Sequence, residues 1–145
     1  MIGYLVLAFL IGLATAQPRD LKFEDCGSKA KILAVRIEPC DSDPCIFKRG
    51  SKSIVQFSIV ADQDSQEAKL GGKFKKIGIW LPIPGLESNL CKKVLQCPIV
   101  KGRKYDGTIK VYIPSWLPSI KTTFELKVSG DQGTSICLRI NAIIQ

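Results

Sequence analysis

Apolar and polar residues alternate along most of the chain, most clearly at residues 120–128. Ile120, Thr122, Phe124, Leu126 and Val128 fall on one side of an extended segment, with Lys121, Thr123, Glu125 and Lys127 on the other. That period of two is the signature of a half-buried β-strand. Five further segments read the same way: Leu33, Val35 and Ile37; Val55, Phe57 and Ile59; Ile77, Ile79 and Leu81; Ile109, Val111 and Ile113; and Ile136, Leu138, Ile140 and Ile144. One extra short strand is expected near Leu21 to Glu24 or Pro98 to Lys101, giving about six to eight in all. No long helical stripe interrupts them, and the segments are punctuated by Gly, Pro, Asp and Ser. The pattern predicts an all-β, antiparallel sandwich. The polar run from Asp62 to Gly72 reads as a loop, with room for a single helical turn around Gln66 to Leu70. Pro82-Ile83-Pro84-Gly85 ends a strand, since proline has no amide hydrogen to give a ladder. Ile113-Pro114-Ser115-Trp116-Leu117-Pro118 is a second proline-bounded apolar stretch, unlike an ordinary polar turn.

Residues 1–16 carry no charged side chain and close in Ala14-Thr15-Ala16, which predicts a signal peptide cleaved after Ala16. The run is shorter than the roughly 20 apolar residues that span a bilayer, and polar Gln17-Pro18-Arg19-Asp20 follows it. The remainder, 17–145, has a length that suits one domain and keeps the whole formal charge of +8. Export places the six cysteines, at 26, 40, 45, 91, 97 and 137, in an oxidising compartment, where a disulfide framework is the default. Spacing alone permits about fifteen pairings. The short turn-forming or polar loops Cys40 to Cys45 and Cys91 to Cys97 suggest local pairs, leaving Cys26 with Cys137. Zinc is the competing reading, disfavoured by the absence of His, of any CxxC pair, and by export.

Without His, and with its cysteines oxidised, the chain lacks the parts of Ser-His-Asp and Cys-His nucleophile systems. Asp41, Asp43, Asp62, Asp64 and Glu67 lie in predicted loops, where solvation explains them, and no glycine-rich phosphate loop is present. No enzyme, cofactor or metal is expected. Basic residues cluster at Lys69, Lys73, Lys75 and Lys76, at Lys92 and Lys93, and at Lys101, Arg103 and Lys104. The few aromatics are not interleaved with these runs, so nucleic acid is not the expected partner. An anionic membrane surface or acidic headgroup suits them better, at about 1 kcal/mol per lysine near such a surface.

Several motifs carry a resemblance. Asp25-Cys26-Gly27-Ser28, Glu38-Pro39-Cys40, Asp43-Pro44-Cys45, Leu81-Pro82-Ile83-Pro84, Cys97-Pro98-Ile99 and Leu117-Pro118-Ser119-Ile120-Lys121 together resemble the lipid-recognition (ML) domain family over essentially all of 17–145. The resemblance implies an immunoglobulin-like β-sandwich with an apolar cavity between its sheets, and the pairs Cys26-Cys137, Cys40-Cys45 and Cys91-Cys97. It also implies a binding site: Ile79 and Leu81 on an inner wall, Ile113, Leu117 and Pro118 at the mouth, Phe124 and Leu126 on the facing sheet, and Val35, Val55 and Phe57 deeper. Ordinary sandwich core accounts for the same residues, because alternation does not separate core wall from cavity wall. The implied function is a secreted, monomeric lipid carrier that takes a fatty acid, sterol or similar apolar lipid and touches an anionic membrane or a receptor transiently. The alternative is an immune accessory protein presenting microbial lipid. Where sterol carriers of the family have aromatic residues at the mouth, this chain has Leu81 and Leu117, which raises acyl lipids to equal standing. Neither Asn89 nor Asn141 begins an N-glycosylation sequon, so extracellular fluid is expected over the lysosomal lumen.

Overall fold

A computed structural model describes residues 21–86 and 89–145; the expected signal peptide lies outside them. Nine strands and no helix occur among the described residues: β1 (Glu24–Asp25), β2 (Lys31–Glu38), β3 (Cys45–Phe47), β4 (Lys52–Val60), β5 (Lys69–Lys76), β6 (Ile79–Pro82), β7 (Lys104–Tyr112), β8 (Lys121–Gly130) and β9 (Gly133–Ile144). They form a broad sheet in the order β1-β9-β8-β5-β6, with β3 also on β9, and a narrow sheet β2-β4-β7. Every pairing is antiparallel except β3 with β9. The architecture is the all-β sandwich that the alternation predicts.

Inward-facing residues of both sheets make the core. On β9, Ile136, Leu138, Ile140, Ala142 and Ile144 are all buried, opposite Val35 and Ile37 of β2 and Val55 and Ile59 of β4. The three disulfides are Cys26–Cys137, Cys40–Cys45 and Cys91–Cys97. The first spans 111 residues and fastens the segment after β1 to the middle of β9. Around it the Asp25 carboxylate accepts hydrogen bonds from the amides of Ser28 at 2.7 Å and Gly27 at 3.0 Å, and the Ser28 hydroxyl accepts from the Cys137 amide at 2.9 Å.

The structure departs from the alternation pattern in four places. Leu33 does not share a buried face with Val35 and Ile37: a bulge between Ile32 and Ala34 turns it outward, 45% exposed, and Ile32 packs inward instead. Ile77 is not in a strand. It forms with Gly78 the two-residue turn between β5 and β6, both with positive φ (51° and 72°), as a type I′ hairpin turn requires. The run from Asp62 to Gly72 contains no helical turn, and its last four residues begin β5. Its loop is held by hydrogen bonds instead, including Gln63 Nε2 to Ser135 Oγ at 2.9 Å and the Lys101 amide to Asp64 at 2.8 Å. The short strand β3 and the lysine-rich strand β5 lie outside the segments that alternation marks.

Candidate functional site

The inner faces of the two sheets meet along an apolar seam that holds two cavities. The first, about 40 Å³, lies toward the end of the sandwich where β4 begins and β7 finishes. Its walls include Phe47, Val55, Ile113, Leu117, Phe124 and Leu126. The second, about 50 Å³, lies further along, with Val35, Val55, Phe57 and Ile109 on the narrow sheet and Leu70, Leu126, Val128 and Leu138 on the broad one. Val55 and Leu126 belong to both sets of walls, so these two side chains form the septum between two chambers of one seam. Among the described residues, no ionisable side chain lines either chamber.

Loops 48–51 and 113–120 meet over the first chamber, and backbone hydrogen bonds lace them together. The Gly50 amide reaches the Ile113 carbonyl at 2.8 Å and the Ile113 amide reaches that of Ser51 at 2.9 Å. Arg49 Nη1 donates to the Leu117 carbonyl at 3.2 Å, fixing the loop whose Leu117 side chain is buried over the chamber. Below, the rings of Phe47 and Phe124 meet edge to face, centroids 5.9 Å apart.

Of the residues expected from the sequence, Val55, Ile113, Leu117, Phe124 and Leu126 come together around the first chamber, and Val35, Val55, Phe57 and Leu126 around the second. Ile79, Leu81 and Pro118 line neither. Leu81 pairs with buried Phe74 and so faces inward, yet β6 is an edge strand, and a three-stranded sheet is too narrow to cover it. Leu81 is therefore 36% exposed and Ile79 62%. Ile83, just past the end of β6, is the residue of this segment that reaches the chamber. Ile37, Phe47, Val111, Pro114 and Ile140 are further wall residues, as is Ser53, the inward position two places before Val55. Carrying the β4 alternation back by one period would have found Ser53; nothing local marks Phe47, which sits on a three-residue strand paired in parallel.

Each chamber has room for about three or four water molecules, whereas a site for a small-molecule ligand typically measures roughly 300–1,000 Å³. Anything larger must move Val55 and Leu126 aside or part the sheets. The site is thus suited to binding by burial. Among the described residues, the one cluster with metal-ligand spacing is Cys26, Glu125 and Cys137, and its cysteines are joined in a disulfide, leaving no thiolate.

Comparison with known proteins places this arrangement. Mite group 2 allergen Tyr p 2 of Tyrophagus putrescentiae is 35% identical over 144 residues, 98% of each chain. NPC intracellular cholesterol transporter 2 of Bos taurus is 33% identical over 132 residues, 89% of each. Among solved structures, a Niemann-Pick type C2 protein from Japanese carpenter ant superposes with a TM-score of 0.78 at 20% identity, covering 86% of this chain and all of that one. Chicken MD-1 complexed with lipid IVa follows at 0.60 and 16% identity, covering 82% and 85%. The family model of the ML domain matches residues 20–144, and the chain belongs to the ML-domain family.

Proposed function

We propose that this protein is a secreted carrier that takes up one apolar lipid between its sheets and releases it unchanged to a membrane or receptor. The observation that carries the reading is the divided apolar seam, a pair of chambers that share the side chains of Val55 and Leu126 as a wall. Membership of a family that includes a cholesterol transporter supports it, as does a fold shared with chicken MD-1, whose structure was solved in complex with lipid IVa. Each ligand CH₂ withdrawn from water contributes about 0.8 kcal/mol, so a 16-carbon chain offers around 13 kcal/mol against the work of opening the seam and associating. Mass spectrometry of lipid extracted from protein isolated from its natural source tests the reading. One predominant apolar lipid at near-stoichiometric amount is expected, and a lipid-free protein that also binds none in vitro refutes it. Leu117→Asp and Phe124→Asp each set a charge on the wall of the first chamber, and retention of full binding by both removes the assignment of these residues.

Transfer to an anionic bilayer through the loop end of the sandwich forms part of the proposal. The β5–β6 turn stands at that end, because Lys75 lies against Thr122 near the start of β8. Ile77 at its tip is 91% exposed in a left-handed conformation that β-branched residues avoid, with Lys75 and Lys76 beside it and Trp116, 65% exposed, on loop 113–120. Asparagine is the favoured residue for this turn position. Ile77→Asn is therefore expected to raise the melting temperature while weakening binding to phosphatidylserine vesicles. Unchanged vesicle binding removes the tip from the docking surface.

A further inference from the structure

Ser53 is the polar exception on the inner face of β4. The alternation that points Val55, Phe57 and Ile59 into the seam begins at Ser53, which is 2% exposed and belongs to the wall of the first chamber. Its hydroxyl has no hydrogen-bond partner among the described residues. An unpaired buried hydroxyl is destabilising, and an alanine or valine at this place would avoid the penalty. Packing alone therefore gives no reason for a serine here. Position adds a second argument. Ser53 pairs with Val111, next to the last pair of the β4–β7 ladder, so it sits at the end of the chamber nearest loops 48–51 and 113–120.

We propose that Ser53 anchors the head group of the bound lipid, taking a hydrogen bond from it or giving one to it. This assignment rests on the reading of the seam as a lipid site and narrows the ligand class. A serine hydroxyl both donates and accepts, which matches an alcohol head. An ionised carboxylate or phosphate is disfavoured, because among the described residues no cationic side chain lines the chamber to offset its desolvation. The occupant is then a lipid with one neutral hydroxyl, a long-chain alcohol or a sterol, or an acid bound in its protonated form. Its head lies beneath Leu117, and its tail runs past Val55 and Leu126 into the second chamber. The two chambers thus have different tasks: the first holds the head, and the second receives tail alone.

The test compares binding of 1-hexadecanol, cholesterol and n-hexadecane to the wild-type protein and to Ser53→Ala, each ligand delivered from the same neutral vesicles. The quantity read is the affinity for a hydroxylated ligand relative to hexadecane. Loss of one neutral hydrogen bond should lower that ratio about three- to tenfold in Ser53→Ala, with hexadecane affinity unchanged. A melting temperature equal to or above wild type is expected and shows the variant folded. A ratio that falls for hexadecanol alone supports the anchor and assigns it to chain lipids; a fall for cholesterol as well extends it to sterols. A ratio unchanged for both, or hexadecane affinity falling in step, overturns the anchor and leaves the lipid site intact. Failure of the wild-type protein to bind any of the three overturns the lipid site itself, and the anchor with it.

Discussion

Val55→Ala separates a wall that must move from a wall that only packs. Val55 is buried and stands between the two chambers, so removing its two methyl groups both uncovers apolar surface and joins the voids. The transfer contribution is about 1.6 kcal/mol at roughly 0.8 per methyl. A residual void comparable to either chamber adds about 1 kcal/mol at roughly 24 cal/mol per Å³. The sum, near 2.5 kcal/mol, should lower the melting temperature by about 10 °C in a domain of this size. Lipid ought to reverse the order of the two proteins' responses. Wild type must displace Val55 before a tail can pass, whereas the variant has the passage open, so the ligand-induced rise should be larger in Val55→Ala. Saturation at 100 times the dissociation constant contributes about 2.7 kcal/mol, enough to offset the loss. Differential scanning calorimetry with and without 1-hexadecanol reads both quantities. A ligand-induced rise no larger in the variant than in wild type refutes the septum and makes Val55 ordinary core.

Gly107 faces the Phe57 ring, and a Cβ there would fall 2.3 Å from Phe57 Cζ. Gly107→Ala should therefore destabilise by about 1–3 kcal/mol in urea titrations, and Phe57→Leu in the same chain should recover part of the loss. Asp25 is held below the usual carboxylate value of 3.8, first by the Ser28 amide and then by that of Gly27. A depressed carboxyl contributes stability above its unfolded pKa and loses it as pH falls through the folded one, so the gap between wild type and Asp25→Asn should be constant from about pH 7 to 5 and close below about pH 4 at fixed salt.

Strands that bury one face along their length were legible in the sequence. β4, β7, β8 and β9 carry apolar residues at alternate inward positions, and the sandwich follows from them. β5 was hidden because its sequence, KLGGKFKK, spends one inward position on glycine. A Cβ at Gly72 would lie 3.1–3.4 Å from Ile83, Leu126 and Leu86, so the position is inward, yet it offers no hydrophobic signal. Ile77 misled in the opposite sense: an isoleucine two places before another apolar residue suggests a strand, and only the neighbouring Gly78 hints at a turn. The wall residues were legible as inward-facing, since period two assigns a face. Their division between solid core and chamber was not, because a void depends on how side chains from both sheets fail to meet, and no single strand records that. Ile79 and Leu81 show the same limit, since their exposure follows from the width of the opposite sheet.

The Cys26–Cys137 bridge governs how the protein responds to proteolysis. Its 111-residue span encloses every loop between Cys26 and Cys137, including the long 83–103 segment, which carries its own Cys91–Cys97 tie. A protease that nicks any of these loops leaves two polypeptides still joined covalently. Gel electrophoresis without reductant should show one band of unchanged mass after such a cut, and fragments only once thiol is added. Digestion must then cut repeatedly, or find the bridge reduced, before the pieces can diffuse apart.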